Sequence, residues 1–224
     1  MEQSIFACRL FAGLESAQLR DALAFFEARE MAYKKGEQLI RTGDAMQSFG
    51  LVLEGAVSVC STDMQGNRLI MANVTKGETF GESLSFLGVR ESPIYAQADS
   101  DCRVLWLSTQ RLRAAGEQGQ QAGCLWTGRF IAMLAERTLS MNNRIQVLSK
   151  KSLREKLMTF FTQRVRESGS LCFDLAMDRS AMADYLGVDR SALSRELSRL
   201  KADGVLRFRK NHFEIVKHQM LDEH

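Results

Sequence analysis

Residues Tyr185 to Gly204 read YLGVDRSALSRELSRLKADG. Leu193, Leu197 and Leu200 recur at i, i+4 and i+7, the spacing of one helix face. The pattern predicts a helix over Arg190–Ala202. Asp189 takes the N-cap position, and no Glu or Gln stands three residues on to complete a capping box. A shorter helix, Ser180–Leu186, comes before, and Gly187 separates the two. The chain continues as VLRFRKNHFEIV, where Val205–Arg209 and His212–Val216 flank a hairpin tip at Lys210–Asn211. Two helices joined across a glycine turn and followed by a basic hairpin describe a winged helix-turn-helix.

The helix face opposite the leucines carries Ser191, Ser194, Arg195 and Ser198, with Arg190 beside them. Serine is a mediocre helix former, so solubility alone does not favour this choice. A helix entering a DNA major groove, about 12 Å wide, has a use for it. Short hydroxyls admit the helix, and an arginine fork fits guanine O6 and N7. The candidate DNA-binding residues are therefore Arg190, Ser191, Ser194 and Arg195 on the recognition helix. Arg179, with Ser180 next to it at the start of the preceding helix, and Arg209 on the hairpin are expected to clamp phosphates.

Charge follows the same division. Lys150–Lys217 holds 15 Lys/Arg against 9 Asp/Glu, a balance of +6, whereas residues 1–149 balance at −1. Positive charge gathered in the C-terminal third suits a polyanionic partner.

Upstream, Gln120–Ser149 has no proline and no glycine after Gly128. Cys124, Thr127, Ile131, Leu134, Thr138, Met141, Ile145 and Leu148 alternate three and four apart, an a/d heptad register over more than three heptads. A second apolar strip runs along Trp126, Phe130 and Met133. A helix with two apolar faces must bury both. One is expected to pack on the N-terminal domain and the a/d face on the same helix of a second copy.

Met31–Thr109 has another texture. Short apolar stretches are divided by glycine turns near Gly36, Gly43, Gly55, Gly66 and Gly77. In VLEGAVSVC, Val57 and Val59 fall on one side and Ser58 and Cys60 on the other. Regular short strands of this kind indicate an antiparallel roll or barrel. The stretch before it, including SAQLRDALAFFEARE, reads as helical. The fold class is thus α+β: a β-roll over 1–119, a long dimerisation helix over 120–149, a winged helix-turn-helix over 150–218 and a tail over 219–224.

At 224 residues with 45% hydrophobic and 25% charged, the chain has the composition of a packed globular protein. It contains no apolar run of membrane-spanning length and no secretory signal pattern, so a cytoplasmic setting is expected. Five cysteines, an odd number without a CxxC pair, argue against a disulfide framework and a zinc knuckle. A cupin-type enzyme needs two or three histidines and a carboxylate on facing strands. All three histidines lie at 212, 218 and 224, beyond the roll, which speaks against an enzyme.

The three regions in this order resemble the Crp–Fnr superfamily of bacterial transcription regulators. The resemblance rests on TFGESLSF (Thr79–Phe86), LSKKSLREKL (Leu148–Leu157) and MDRSAMADYLGVDRSALSRELSRLKADGVL (Met177–Leu206). It implies a homodimer on a palindromic promoter site, RNA polymerase as a further partner, and a signal in the roll that shifts the DNA heads. That signal is a small molecule or a redox change; the alternative is a packed roll that takes no ligand. The family's recognition helix carries a glutamate at the position of Ser191, so the half-site is expected to differ opposite this residue. Arg195 keeps the guanine-reading position.

The family's cyclic-nucleotide members hold the ribose with a Gly-Glu pair, which Gly81-Glu82 matches. Their Arg-Ser phosphate pair falls on Ser92-Pro93. Proline has no amide hydrogen and no cation occupies the site, with Arg90 two residues too early. The base-binding hydroxyls of the long helix fall on Met141 and Asn142. Cyclic AMP is therefore disfavoured. An iron–sulfur cluster needs several cysteines near the N-terminus, where this chain has Cys8 alone. Haem lacks axial histidines in the roll. The effector stays unassigned, and its candidate pocket comprises Phe80, Gly81, Glu82, Ser83 and Leu84, with Arg90, Ser92, Met141 and Asn142.

Overall fold

The computed structural model describes residues 2–62, 65, 68–118, 121–175 and 177–216; the side chains of 2, 3, 68 and 115–124 lie outside the description. The chain divides into two compact units with the boundary between Ala135 and Glu136. The expected tail, and residues 217–218 before it, lie outside the described residues.

The first unit opens with helices α1 (Glu2–Ala7) and α2 (Ser16–Phe25). The strands β1 (Arg29–Tyr33), β2 (Gln38–Ile40), β3 (Ser48–Glu54), β4 (Ala56–Thr62), β5 (Arg68–Thr75) and β6 (Thr79–Phe80) follow. After a short helix α3 (Glu82–Leu87) come β7 (Tyr95–Ala98) and β8 (Cys102–Ser108), then α4 (Gln110–Gln118) and the long α5 (Gln121–Leu148). Two antiparallel sheets, ordered β1-β8-β3-β6 and β2-β7-β4-β5, form the roll.

Both faces of β3 are covered. Phe49, Leu51, Leu53, Leu105 and Leu107 pack with Phe11 and Phe26 against Trp126, Phe130 and Met133 of α5. Val52 and Val104 face the roll interior with Val57, Val59, Val74 and Phe80. Hence β3 is buried at five consecutive residues, and the alternation of a half-solvated strand disappears. In β4, Ser58 is buried beside its valines because its hydroxyl bonds Asp99 and Asn73. Gly50 has no room for a side chain: a Cβ there would run into the Phe80 ring. That ring in turn meets half-buried Trp106 edge-on at 5.5 Å between centroids.

The second unit contains the C-terminal part of α5, α6 (Leu153–Ser168), β9 (Cys172–Asp174), α7 (Arg179–Leu186), α8 (Arg190–Ala202), β10 (Leu206–Arg209) and β11 (His212–Ile215). Ser152 and Glu155 cap α6 reciprocally, each side chain accepting from the other's backbone N–H. The core gathers Val147, Leu157, Phe160, Phe161, Met182, Leu186, Leu193, Leu197, Leu200 and Phe213. The three-stranded sheet is ordered β10-β11-β9.

One face of α5 remains uncovered in the single chain. Ile131, Met141 and Ile145 are 56%, 59% and 61% exposed, and Leu148 and Thr138 are exposed too. Thr127 and Leu134 are half-buried; the Cys124 side chain is outside the described residues. The second apolar strip, by contrast, is buried as the sequence led one to expect: Trp126, Phe130 and Met133 sit in the core of the first unit. Among the described residues, no helix is long and apolar enough to cross a membrane.

Candidate nucleic-acid interface

The helix-turn-helix is built by its caps. Asp178 accepts from the Ala181 backbone N–H at 2.8 Å and starts α7. Gly187, at φ 63°, ends it in the left-handed conformation that spares glycine a Cβ clash. Lys156 Nζ donates to the Leu186 carbonyl at 3.1 Å, placing a cation at the C-terminus of α7. Asp189 stands at the N-cap of α8, but its side chain makes no capping bond.

Leu193, Leu197 and Leu200 lock the inner face of α8 into the core. Its far end is held by Arg154, 2.8 Å from Asp203 and 3.6 Å from Glu196. Glu196 also pairs with Arg199 at 3.3 Å. Arg144 donates to the Asp184 carbonyl at 3.3 Å and stacks over Tyr185, tying the end of α5 to α7. Residues such as Arg154 and Arg144 escape a sequence reading because nothing local distinguishes them from solvated charges.

The outer face of α8 is free for a partner. Arg190, Ser191, Ser194 and Arg195 are exposed, as are Ser180 and Arg209. Arg190, Arg195 and Arg209 make no ion pair with the described residues. The Ser194 hydroxyl donates to the Arg190 carbonyl at 3.0 Å, and Ser198 to the Ser194 carbonyl at 2.9 Å. These back-bonds use the hydroxyl hydrogens and leave each oxygen with acceptor capacity. Arg179 differs from the outward phosphate clamp the sequence suggested. Its guanidinium lies against Phe208 and Phe213 and donates to the Lys210 carbonyl.

Two family profiles fit this arrangement. That of the cyclic nucleotide-binding domain matches residues 30–118, and that of the Crp-like helix-turn-helix domain matches residues 129–224. The chain belongs to the Crp–Fnr superfamily. The cyclic AMP receptor protein of Thermus thermophilus is 27% identical over 214 residues, 96% of this chain and 95% of that protein. The transcriptional activator protein anr of Pseudomonas aeruginosa is 29% identical over 192 residues, 83% of this chain and 76% of that one. Among solved structures, the Thermus thermophilus catabolite activator protein superposes with a TM-score of 0.50 at 25% identity, covering 96% of this chain and 97% of that one. This Crp–Fnr member is a DNA-binding transcription regulator and not an enzyme.

The residues that match the family's nucleotide site in the roll are placed as follows. Glu82 is buried and accepts from Thr79 Oγ1. Ser92 is buried as well: its hydroxyl donates to the Ile94 carbonyl at 2.8 Å and its N–H to the Asp44 carbonyl at 2.9 Å. Pro93 offers no donor. Arg90 and Ser83 are exposed, Gly81 and Leu84 are half-buried, and Phe80 is fully packed in the roll interior. Met141 and Asn142 are exposed on the second unit's part of α5. Three surface grooves of about 270, 360 and 450 Å³ lie on other residues.

Cys8, Cys60 and Cys102 are buried, and burial raises the Cys8 pKa to about 11. The folded state therefore favours the neutral thiol. Its contribution to stability is full below pH 9 and is lost as pH rises through about 11, an effect of about 3 kcal/mol. Denaturant midpoints of the wild type and Cys8→Ala, compared from pH 8 to pH 11, are expected to converge as the pH rises. A constant difference would show that Cys8 ionises equally in both states.

Proposed function

We propose that the regulator acts as a homodimer on palindromic promoter DNA, its two α8 helices reading the half-sites and its two hairpins holding the flanking phosphates. The exposed part of the α5 seam, at Ile131, Met141, Ile145 and Leu148, carries this reading. In its register the a positions hold Cys124, Ile131, Thr138 and Ile145, and the d positions Thr127, Leu134, Met141 and Leu148. β-Branched residues at a with leucine at d favour a parallel two-stranded coiled coil. A parallel pair puts both DNA heads at the same end, as a palindrome requires. Contact with RNA polymerase at the promoter belongs to the same reading, by analogy with the family.

Within each head, Arg195 is the guanine reader and Ser194 accepts from a neighbouring base. Arg190 and Ser180 take phosphates. Ser191 replaces a charged acceptor with a hydroxyl, which relaxes the half-site at one position.

The packed roll favours operation without a cyclic nucleotide. The family's Arg-Ser phosphate pair falls on Ser92-Pro93, which brings no cation, and Phe80 packs in the roll interior. One experiment tests both parts: selection from random duplexes, followed by salt titration with and without millimolar cyclic AMP. The expected outcome is a palindromic consensus, binding that weakens steeply with salt, and no response to the nucleotide. A salt-independent association without a consensus would overturn the DNA reading, and tighter binding with cyclic AMP would overturn the packed roll.

A further inference from the structure

Arg179 opens α7, yet its guanidinium is engaged with the wing. Its Cζ lies 5.1 Å from the Phe208 ring centroid and 4.8 Å from that of Phe213. One terminal nitrogen donates to the Lys210 carbonyl at 2.8 Å, and the other lies 3.7 Å from Met182 Sδ. Lys201, near the end of α8, brings a second cation within 5.4 Å of Phe208. The residue that receives the hydrogen bond is itself unusual. Lys210 sits at the hairpin tip with φ 54°, a left-handed conformation that strains a non-glycine residue. A planar guanidinium can stack its face on a ring while donating from its edge, which an ammonium cannot reproduce. Burial also moves the Arg179 pKa downward, in keeping with a group partly withdrawn from water.

We infer that Arg179 is a positioning residue that pins the β10–β11 wing to α7. Through that pin it sets where Arg209 and Lys210 stand relative to the recognition helix. Ring stacking, the carbonyl bond and the strained tip all converge on this side chain, and a direct phosphate contact would have to compete with them. Its part in DNA binding rests on the reading proposed above, whereas the pin itself concerns the free protein.

The test uses the full-length protein with Arg179→Gln, Arg179→Lys and Phe208→Leu. Amide hydrogen exchange in the free protein is expected to rise at least tenfold across β10, the tip and β11 in all three variants, with α8 unchanged. On DNA, the slope of log K against log salt is expected to fall by about 3.6 in Arg179→Gln, because Arg209 and Lys210 disengage together in both copies. Arg209→Ala added to that variant should cost less than a further twofold. Unchanged exchange in the wing, a slope change of about 1.8 and an additive double variant would overturn the pin and make Arg179 a simple phosphate contact in each copy. Recovery of wing protection by Arg179→Lys would overturn it too. If the wild type bound no duplex, the DNA reading would fall while the exchange measurement still decided the pin.

Discussion

Arg195→Ala lowers affinity for the selected palindrome by about 30-fold to 10⁴-fold. Each bidentate arginine–guanine pair is worth about 1–3 kcal/mol, and a dimer loses two of them. The loss is confined to duplexes that carry the guanine. On duplexes with that base replaced, wild type and variant bind alike. Electrophoretic shift or anisotropy titration over a set of single-base variants reads this directly. The physical basis is the exposure of Arg195 on a helix whose inner face is locked, with no acid among the described residues to hold it back. Equal loss on every sequence would show a backbone contact and leave the helix's reading to its serines.

Ile145→Asp converts the protein to monomers without unfolding it. Ile145 is 61% exposed in the single chain, so the substitution removes little from either unit's core. In a parallel pair both copies of the residue enter the seam. Full burial of an isoleucine side chain is worth about 1.5–3 kcal/mol, so the dimer dissociation constant should rise about 10²-fold to 10⁴-fold. Sedimentation equilibrium measures the constant, and calorimetry checks that the melting temperature of the monomer is preserved. Binding to a palindrome should fall with dimerisation, while binding to an isolated half-site stays as weak as before. An unchanged sedimentation profile would mean that the face is covered by something other than a second copy.

The parts legible in the sequence were those with strong local signals. The leucine ladder and the flanking glycine defined α8 to the residue, and α7 begins at Arg179, one position before the expected Ser180. The two faces of α5 were readable because its heptad register and its aromatic strip are offset along the same helix. Other elements carried no such signal. The six residues of α3 are too few to show a helical period. The three of β9 show only Phe173 turned inward between exposed Cys172 and Asp174. In β3 both faces are covered, so alternation was erased by burial. The position of Arg179 was illegible for a different reason. Its partners are two rings and a carbonyl on a hairpin distant in sequence, and no local pattern announces that the hairpin folds back on α7.

The clamp of Arg154 on Glu196 and Asp203, together with the inward leucines, divides the labour on α8. Stability is supplied from behind, and the residues that would touch bases contribute almost nothing to it. Exchanges at Ser191, Ser194 or Ser198 therefore stay within the range of about ±0.5 kcal/mol typical of surface positions. A lineage carrying this scaffold can thus rewrite its operator preference one letter at a time, with the folded state paying no toll along the route.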